Sequence, residues 1–200
     1  ISSVSKANCS SIRCPSTRTT LALNPHAAAF QLRSYPHVTS NSHFKYLPEF
    51  SPRNVVDGNA AAGEETPQVP YWRPNRRTDL WLKIVFGRTV ETSRVVLYLR
   101  TMPDQEKTWS SATLEFSNGH KAAIVLNNTA AAQEFVFPNQ LTAWVKLTDL
   151  REPFPLDDNG LTEWEVYGKD VGVPQREVDG SSPDARSAAS TTAVLPASSD

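Results

Sequence analysis

Between residues 80 and 170 apolar and polar positions alternate with a period of two. In DLWLKIVFG, Leu82, Ile84 and Phe86 fall on one face and Trp81, Lys83 and Val85 on the other. SRVVLYLR sets Val95, Leu97 and Leu99 against Val96, Tyr98 and Arg100. SATLEFSNG places Ala112, Leu114 and Phe116 together, and AAIVLNN, AQEFVFPN, TAWVKLTDL and LTEWEVYG continue the series. Such alternation marks strands with one buried face. Turn formers separate the runs: Phe86-Gly87, Ser117-Asn118-Gly119-His120, Asn127-Asn128, Pro138-Asn139 and Asp157-Asp158-Asn159-Gly160. The Asn118-Gly119 step predicts a β-hairpin. Strands at roughly ten-residue spacing, with no long amphipathic helix, predict an all-β fold, an antiparallel β-sandwich or jelly roll.

Composition then sets the boundaries. All five Trp, five Tyr and eight Phe lie between Phe30 and Tyr167. The flanking stretches are rich in Ser, Thr, Ala and Pro, which cannot bury enough apolar surface to offset their ordering entropy. The reading is a flexible arm over 1–25, a β-sandwich over 26–170 and a second flexible arm over 171–200. Arms of this kind tether modules in larger chains. Cys9 and Cys14 both fall in the first arm; they close a small ring in an oxidising compartment or stay as free thiols.

Charge narrows the partners. Lys+Arg total 20 against 21 Asp+Glu, a net charge of -1, which argues against a nucleic-acid partner and a polybasic membrane surface. No apolar run reaches the roughly 18 residues of a membrane span. The four histidines are scattered, and no zinc-protease, nucleophile-elbow or phosphate-loop motif occurs. A Glu64-Glu65 pair sits in an Ala/Pro-rich loop, a poor place to hold catalytic carboxylates rigidly. A non-catalytic protein is expected.

Two loop segments carry binding chemistry. Pro70-Tyr71-Trp72-Arg73-Pro74-Asn75-Arg76-Arg77 mixes flat aromatics with multidentate donors, the combination that covers a sugar face and bonds its hydroxyls. Arg100, Asp104 and Trp109, following the SRVVLYLR strand, form a second candidate. Trp72 either stacks on a ligand or caps the end of the core. Trp81 and Trp144, in regular strand patterns, read as structural. Asp57-Gly58-Asn59 reads either as a plain Asx turn or as a turn presenting oxygens to a hard cation.

Three elements in order carry a family resemblance: Asn54-Val55-Val56-Asp57-Gly58-Asn59, then DLWLKIVFG running into ETSRVVLYLR, and a closing GLTEWEVYG. Over roughly residues 36–168 the chain resembles discoidin-type (coagulation-factor C-type) members of the galactose-binding-like β-sandwich superfamily. The middle section resembles domains appended to bacterial carbohydrate-active proteins. The resemblance implies a structural calcium held by the Asn54 and Asn59 carbonyls, Asp57 and Glu163, with Gly63 or Thr66 as a further ligand. It also implies a sugar-binding role for Arg100, which matches the position of an arginine in galactose-type binders. The loop after Asn59 is longer than in such relatives. The expected function is carbohydrate binding, with ligand residues Trp72, Arg73, Arg76, Arg100, Asp104 and Trp109, in a secreted or surface protein. The alternative is a protein-interaction module gripping a partner or subunit through the same loops and the terminal arms.

Overall fold

The computed structural model describes residues 20–25, 35–60, 70–101, 108–151 and 159–174. Among them run six strands: β1 (His37–Ser40), β2 (Leu82–Arg100), β3 (Ser111–Phe116), β4 (Lys121–Val125), β5 (Gln133–Arg151) and β6 (Gly160–Pro174). Short 3-10 turns at Phe44–Tyr46, Pro48–Phe50 and Pro52–Val56 lie between β1 and β2. No helix among the described residues is long and apolar enough to cross a membrane. Asp104, Cys9, Cys14, Gly63, Thr66 and the Glu64-Glu65 pair lie outside the described residues, as does most of both arms.

Two strands do most of the architectural work. The alternating runs on either side of Phe86-Gly87 were expected as separate strands, and so were those flanking Pro138-Asn139. They join instead into the 19-residue β2 and β5, each bent in the middle. The β2–β5 register slips between Val85 and Val90 and again between Thr92 and Arg94. Gly87 lies at the first slip with φ of 67°. A Cβ there would stand 2.4 Å from the Tyr35 ring, so glycine is what lets the strand bend against Tyr35.

The bend gives β2 and β5 a place in two sheets. Residues 82–85 of β2 are flanked by β1 and β5, whereas residues 94–97 are flanked by β6 and β5. One sheet therefore runs β1-β2-β5-β3-β4 and the other β6-β2-β5, all antiparallel. Their inner faces form a β-sandwich core. Leu82, Ile84, Phe86, Leu114, Val145 and Leu147 from the first sheet, and Val95, Leu97, Trp164 and Val166 from the second, are fully buried. The hairpin expected at Asn118-Gly119 joins β3 to β4, with Asn118 Oδ1 accepting the His120 N–H at 3.0 Å and Gly119 at φ 86°.

The domain begins earlier than composition indicated. Thr20 bridges Tyr167, the Leu21 N–H donates to the Val166 carbonyl at 2.6 Å, and the Asn24 N–H donates to the Val56 carbonyl at 2.7 Å. Ala22 is fully buried. At the other end β6 runs on to Pro174, past the boundary set at 170. An edge strand leaves a row of unpaired backbone groups, and the short segment from Thr20 covers part of the β6 edge.

Candidate functional site

The segment after Pro70 closes one end of the sandwich. Trp72 and Leu161 exchange backbone hydrogen bonds at 2.9 and 3.0 Å, tying the segment to the start of β6. The Trp72 indole donates to the Ser42 carbonyl at 2.8 Å. Its ring lies 5.7 Å from that of Trp109, and the two are 0% and 1% exposed. Both expected ligand aromatics are thus core residues, and neither has a free face for a sugar. The physical reason is that an indole whose N–H reaches a buried carbonyl stabilises far more inside than on the rim. Of the two roles open to Trp72, it takes the capping one.

The polar candidates divide. The Arg73 guanidinium stacks on Phe44 at 4.0 Å and Phe50 at 5.5 Å. Arg76 is exposed on the same loop, and its neighbour Arg77 is held by Asp79 through two hydrogen bonds of 2.8 and 2.7 Å. Arg100, the last residue of β2, lies over the Tyr71 ring at 4.3 Å, close enough for a cation–π contact. A chain of edge-on ring contacts, Phe44–Phe50–Tyr71, links the Arg73 and Arg100 stacks along one rim. Tyr46 stands next to it, 80% exposed, edge-on to His43.

Arg100 also carries an unmet donor. Its Nε is buried without a hydrogen-bond partner, and so is the Nδ2 of Asn159, a residue 5% exposed. Asn159 precedes Gly160, the cross-strand partner of Arg100. A Cβ on Gly160 would sit 2.5 Å from the Tyr71 ring, so the glycine admits the ring on which Arg100 stacks. Sequence reasoning found Arg100 but missed Tyr71 and Asn159. Tyr71 lay in the singled-out loop, overshadowed by Trp72, and Asn159 was read only as a turn residue.

The expected cation turn forms a second centre. The Asn59 N–H bonds Asp57 Oδ1 at 2.9 Å, the geometry of an Asx turn. Across from it the Gly58 N–H donates to Glu163 Oε2 at 3.2 Å. Glu163 is 2% exposed. Burial, then the nearby Asp57 charge, pushes its carboxyl from 4.5 up to about 8. Burial raises Asp57 as well, against the lowering hydrogen bond from Asn59. Glu165, the other glutamate on that face, instead accepts from the hydroxyls of Tyr167 at 2.8 Å and Tyr98 at 3.4 Å. Asn54, also expected here, uses its amide to donate to the Pro48 and Glu49 carbonyls at 3.1 and 3.0 Å, which shapes the turn leading into Asp57.

The Asp57–Glu163 pair fits a hard cation. The half-buried Asp57 and the buried Glu163 lie near one another with no cationic partner among the described residues, and their donors are oxygens, as calcium prefers. No cluster of three or more His, Cys, Asp or Glu occurs among the described residues.

One more placement differs from expectation. Trp81 and Trp144 are not core residues; both are partly exposed on the outer face of the five-stranded sheet.

The bent shared strands and end loops build an antiparallel β-sandwich, and solved carbohydrate-binding modules and a fucolectin have the same fold. Three solved structures illustrate it. A chitosan-binding module of a chitosanase/glucanase from Paenibacillus sp. IK-5 aligns with a TM-score of 0.51 at 18% identity, over 75% of this chain and 99% of that one. A fucose-binding module from Streptococcus pneumoniae gives 0.52 at 16% identity, over 76% and 99%. A fucolectin from the serum of striped bass, Morone saxatilis, gives 0.57 at 20% identity, over 76% of this chain and 48% of that one. Within this class, residues 36–167 match the family described as a domain of unknown function, DUF7402, and the chain belongs to that family. No curated protein matches it in sequence.

Proposed function

We propose that this domain is a non-catalytic glycan-binding module that takes a sugar at the Arg100 rim. The observation that carries the reading is the pair of buried donors without acceptors, Arg100 Nε at the end of β2 and Asn159 Nδ2 just before Gly160, the cross-strand partner of Arg100. An unmet buried donor costs about 1–3 kcal/mol, and sugar hydroxyls would relieve that cost. Tyr71 already fixes the guanidinium, so little side-chain freedom is lost on binding. The structural neighbours named for chitosan and fucose binding support the same reading.

A structural calcium at Asp57 and Glu163 is part of this proposal. It would neutralise the two carboxylates and hold the turn against β6. Secretion or surface display, with the arms tethering the module to a larger protein, completes the reading.

A glycan array followed by isothermal titration tests it. A shallow rim gives a dissociation constant on the order of 0.1–1 mM. Arg100→Ala should weaken binding about tenfold, the effect of losing a charged donor, with little change in the urea midpoint. A blank array, or full affinity in Arg100→Ala, overturns the reading. A blank array together with a protein ligand bound at this rim would transfer the function to protein interaction.

A further inference from the structure

The outer face of the five-stranded sheet carries chemistry that the rim does not use. Cross-strand register places Thr39, Lys83, Lys146, Glu115 and Lys121 in one row across β1, β2, β5, β3 and β4. Lys83 and Lys146 are direct partners. Like charges opposite one another destabilise a sheet, so this pair works against the fold. Glu115 is shared between Lys146 at 3.7 Å and Lys121 at 3.5 Å. Lys83 has no carboxylate partner among the described residues. Its ammonium is pushed below its ordinary pKa by burial and then by Lys146. The lysine pair is short of an anion.

Two tryptophans flank the pair. The Lys83 ammonium lies 4.4 Å from the Trp144 ring centre, and that of Lys146 lies 5.6 Å from Trp81. Both indoles are partly exposed, whereas Trp72, Trp109 and Trp164 are buried. Four residues of rise and one strand spacing separate Trp81 from Trp144, about 14 Å between Cα atoms. The same face continues into an open groove of about 380 Å3 lined by Ser111, Thr113, Ala123 and Val125, with Asp149 and Arg151 at its edge. Around this surface Lys83, Lys121, Lys146 and Arg151 outnumber Glu115 and Asp149.

We propose that this sheet face is a second binding surface, separate from the Arg100 rim, for an acidic polysaccharide. Trp81 and Trp144 cover pyranose faces, and Lys83 and Lys146 turn from the indoles to the uronate carboxylates of the same chain. Small side chains along the groove leave room for further sugar units. The charge surplus selects the acidic polymer, and the indoles distinguish sugar rings from any other polyanion. The proposal does not depend on what the rim binds.

Affinity electrophoresis and titration of the 200-residue chain with polygalacturonate test it, with neutral dextran and poly-glutamate as controls. Polygalacturonate should bind, weaken as salt rises, and shield the partly exposed indoles from acrylamide quenching. Lys83→Gln/Lys146→Gln should lose about tenfold in affinity and unfold no earlier than the native chain, because two opposed charges are gone. Trp144→Ala should bind more weakly still, while Arg100→Ala binds polygalacturonate as the native chain does. The proposal fails if polygalacturonate does not bind, or if the double glutamine variant binds unchanged. It also fails if poly-glutamate binds as tightly, or if Arg100→Ala abolishes the interaction.

Discussion

Glu163 gives the domain a pH dependence whose sign and size follow from its burial. A carboxyl whose pKa rises on folding keeps its proton in the native state after the unfolded chain has released it. Between the two pKa values the native state therefore binds the extra proton, and stability falls as pH rises. With Glu163 moved from 4.5 to about 8, at about 1.4 kcal/mol per unit, the loss across that window is of the order of 5 kcal/mol. Above about pH 8 it levels off. Asp57, raised by the same burial, acts in the same direction. Calcium reverses the balance, because it binds the deprotonated carboxylates and displaces the proton. At a hundred times its dissociation constant it adds about 2.7 kcal/mol, most effectively at the alkaline end. Urea unfolding at fixed ionic strength, with chelator or with calcium, measures both effects. In chelator the midpoint should fall steadily from about pH 5 to pH 8, and calcium should restore it near pH 8. Glu163→Gln should flatten the chelator profile, stand above the native chain at pH 8 and respond little to calcium. A native chain equally stable across that range in chelator refutes the argument for the carboxylate. A Glu163→Gln chain that still gains full stability from calcium moves the cation elsewhere.

Trp72→Ala removes a fully buried indole together with its bond to the Ser42 carbonyl, and should cost about 3–5 kcal/mol in chemical denaturation. A cost below about 1 kcal/mol would mean that Trp72 does not cap the core. Gly168→Ala would place a Cβ 1.9 Å from the Glu91 carbonyl oxygen, forcing β6 away from β2 at a cost of about 1–3 kcal/mol or more. An unchanged urea midpoint would show that the two strands do not meet there as described.

The fold was legible because alternation is imposed by burial on one face of a strand, and Leu82, Ile84 and Phe86 obey it without exception. The bends were not. A run broken by Phe86-Gly87 looks the same whether the chain turns back or slips register and changes sheet, and the difference lies in Tyr35, some fifty residues away. The same limit governed the tryptophans. Residue type marks Trp72 and Trp109 as binders and strand position marks Trp81 and Trp144 as structural, yet the structure assigns burial the other way round. Which side of a strand is inside depends on the partner sheet. Arg100 stood out by its place at the end of a strand, while Asn159, next to its cross-strand partner Gly160, showed no signal beyond a turn.

The N-terminal segment over residues 20–25 links these observations to one measurable quantity. Thr20 Oγ1 donates to the Val166 carbonyl at 3.2 Å and accepts the Val166 N–H at 3.1 Å, so the β6 edge is satisfied by a residue 146 positions away. Asn24 adds a buried bond from its amide to the Pro36 carbonyl at 3.0 Å. Each such bond contributes about 0.5–1.5 kcal/mol net, and the ordering of six residues offsets part of the sum. With Ala22 fully buried beside those bonds, a chain starting at residue 26 should be less stable than one starting at residue 20. Leu23 also rests on the Asp57-Gly58 turn, its Cδ1 2.9 Å from where a Gly58 Cβ would stand. Removing the segment opens that turn, lets water reach Glu163 and lowers its pKa toward the ordinary carboxylate value. The shorter chain should thus lose stability at every pH, and lose less additional stability between about pH 5 and pH 8. Paired urea titrations of the two chains in chelator decide the matter. Equal midpoints would make the segment a tail after all, and a full pH slope in the shorter chain would show that Glu163 is buried without it.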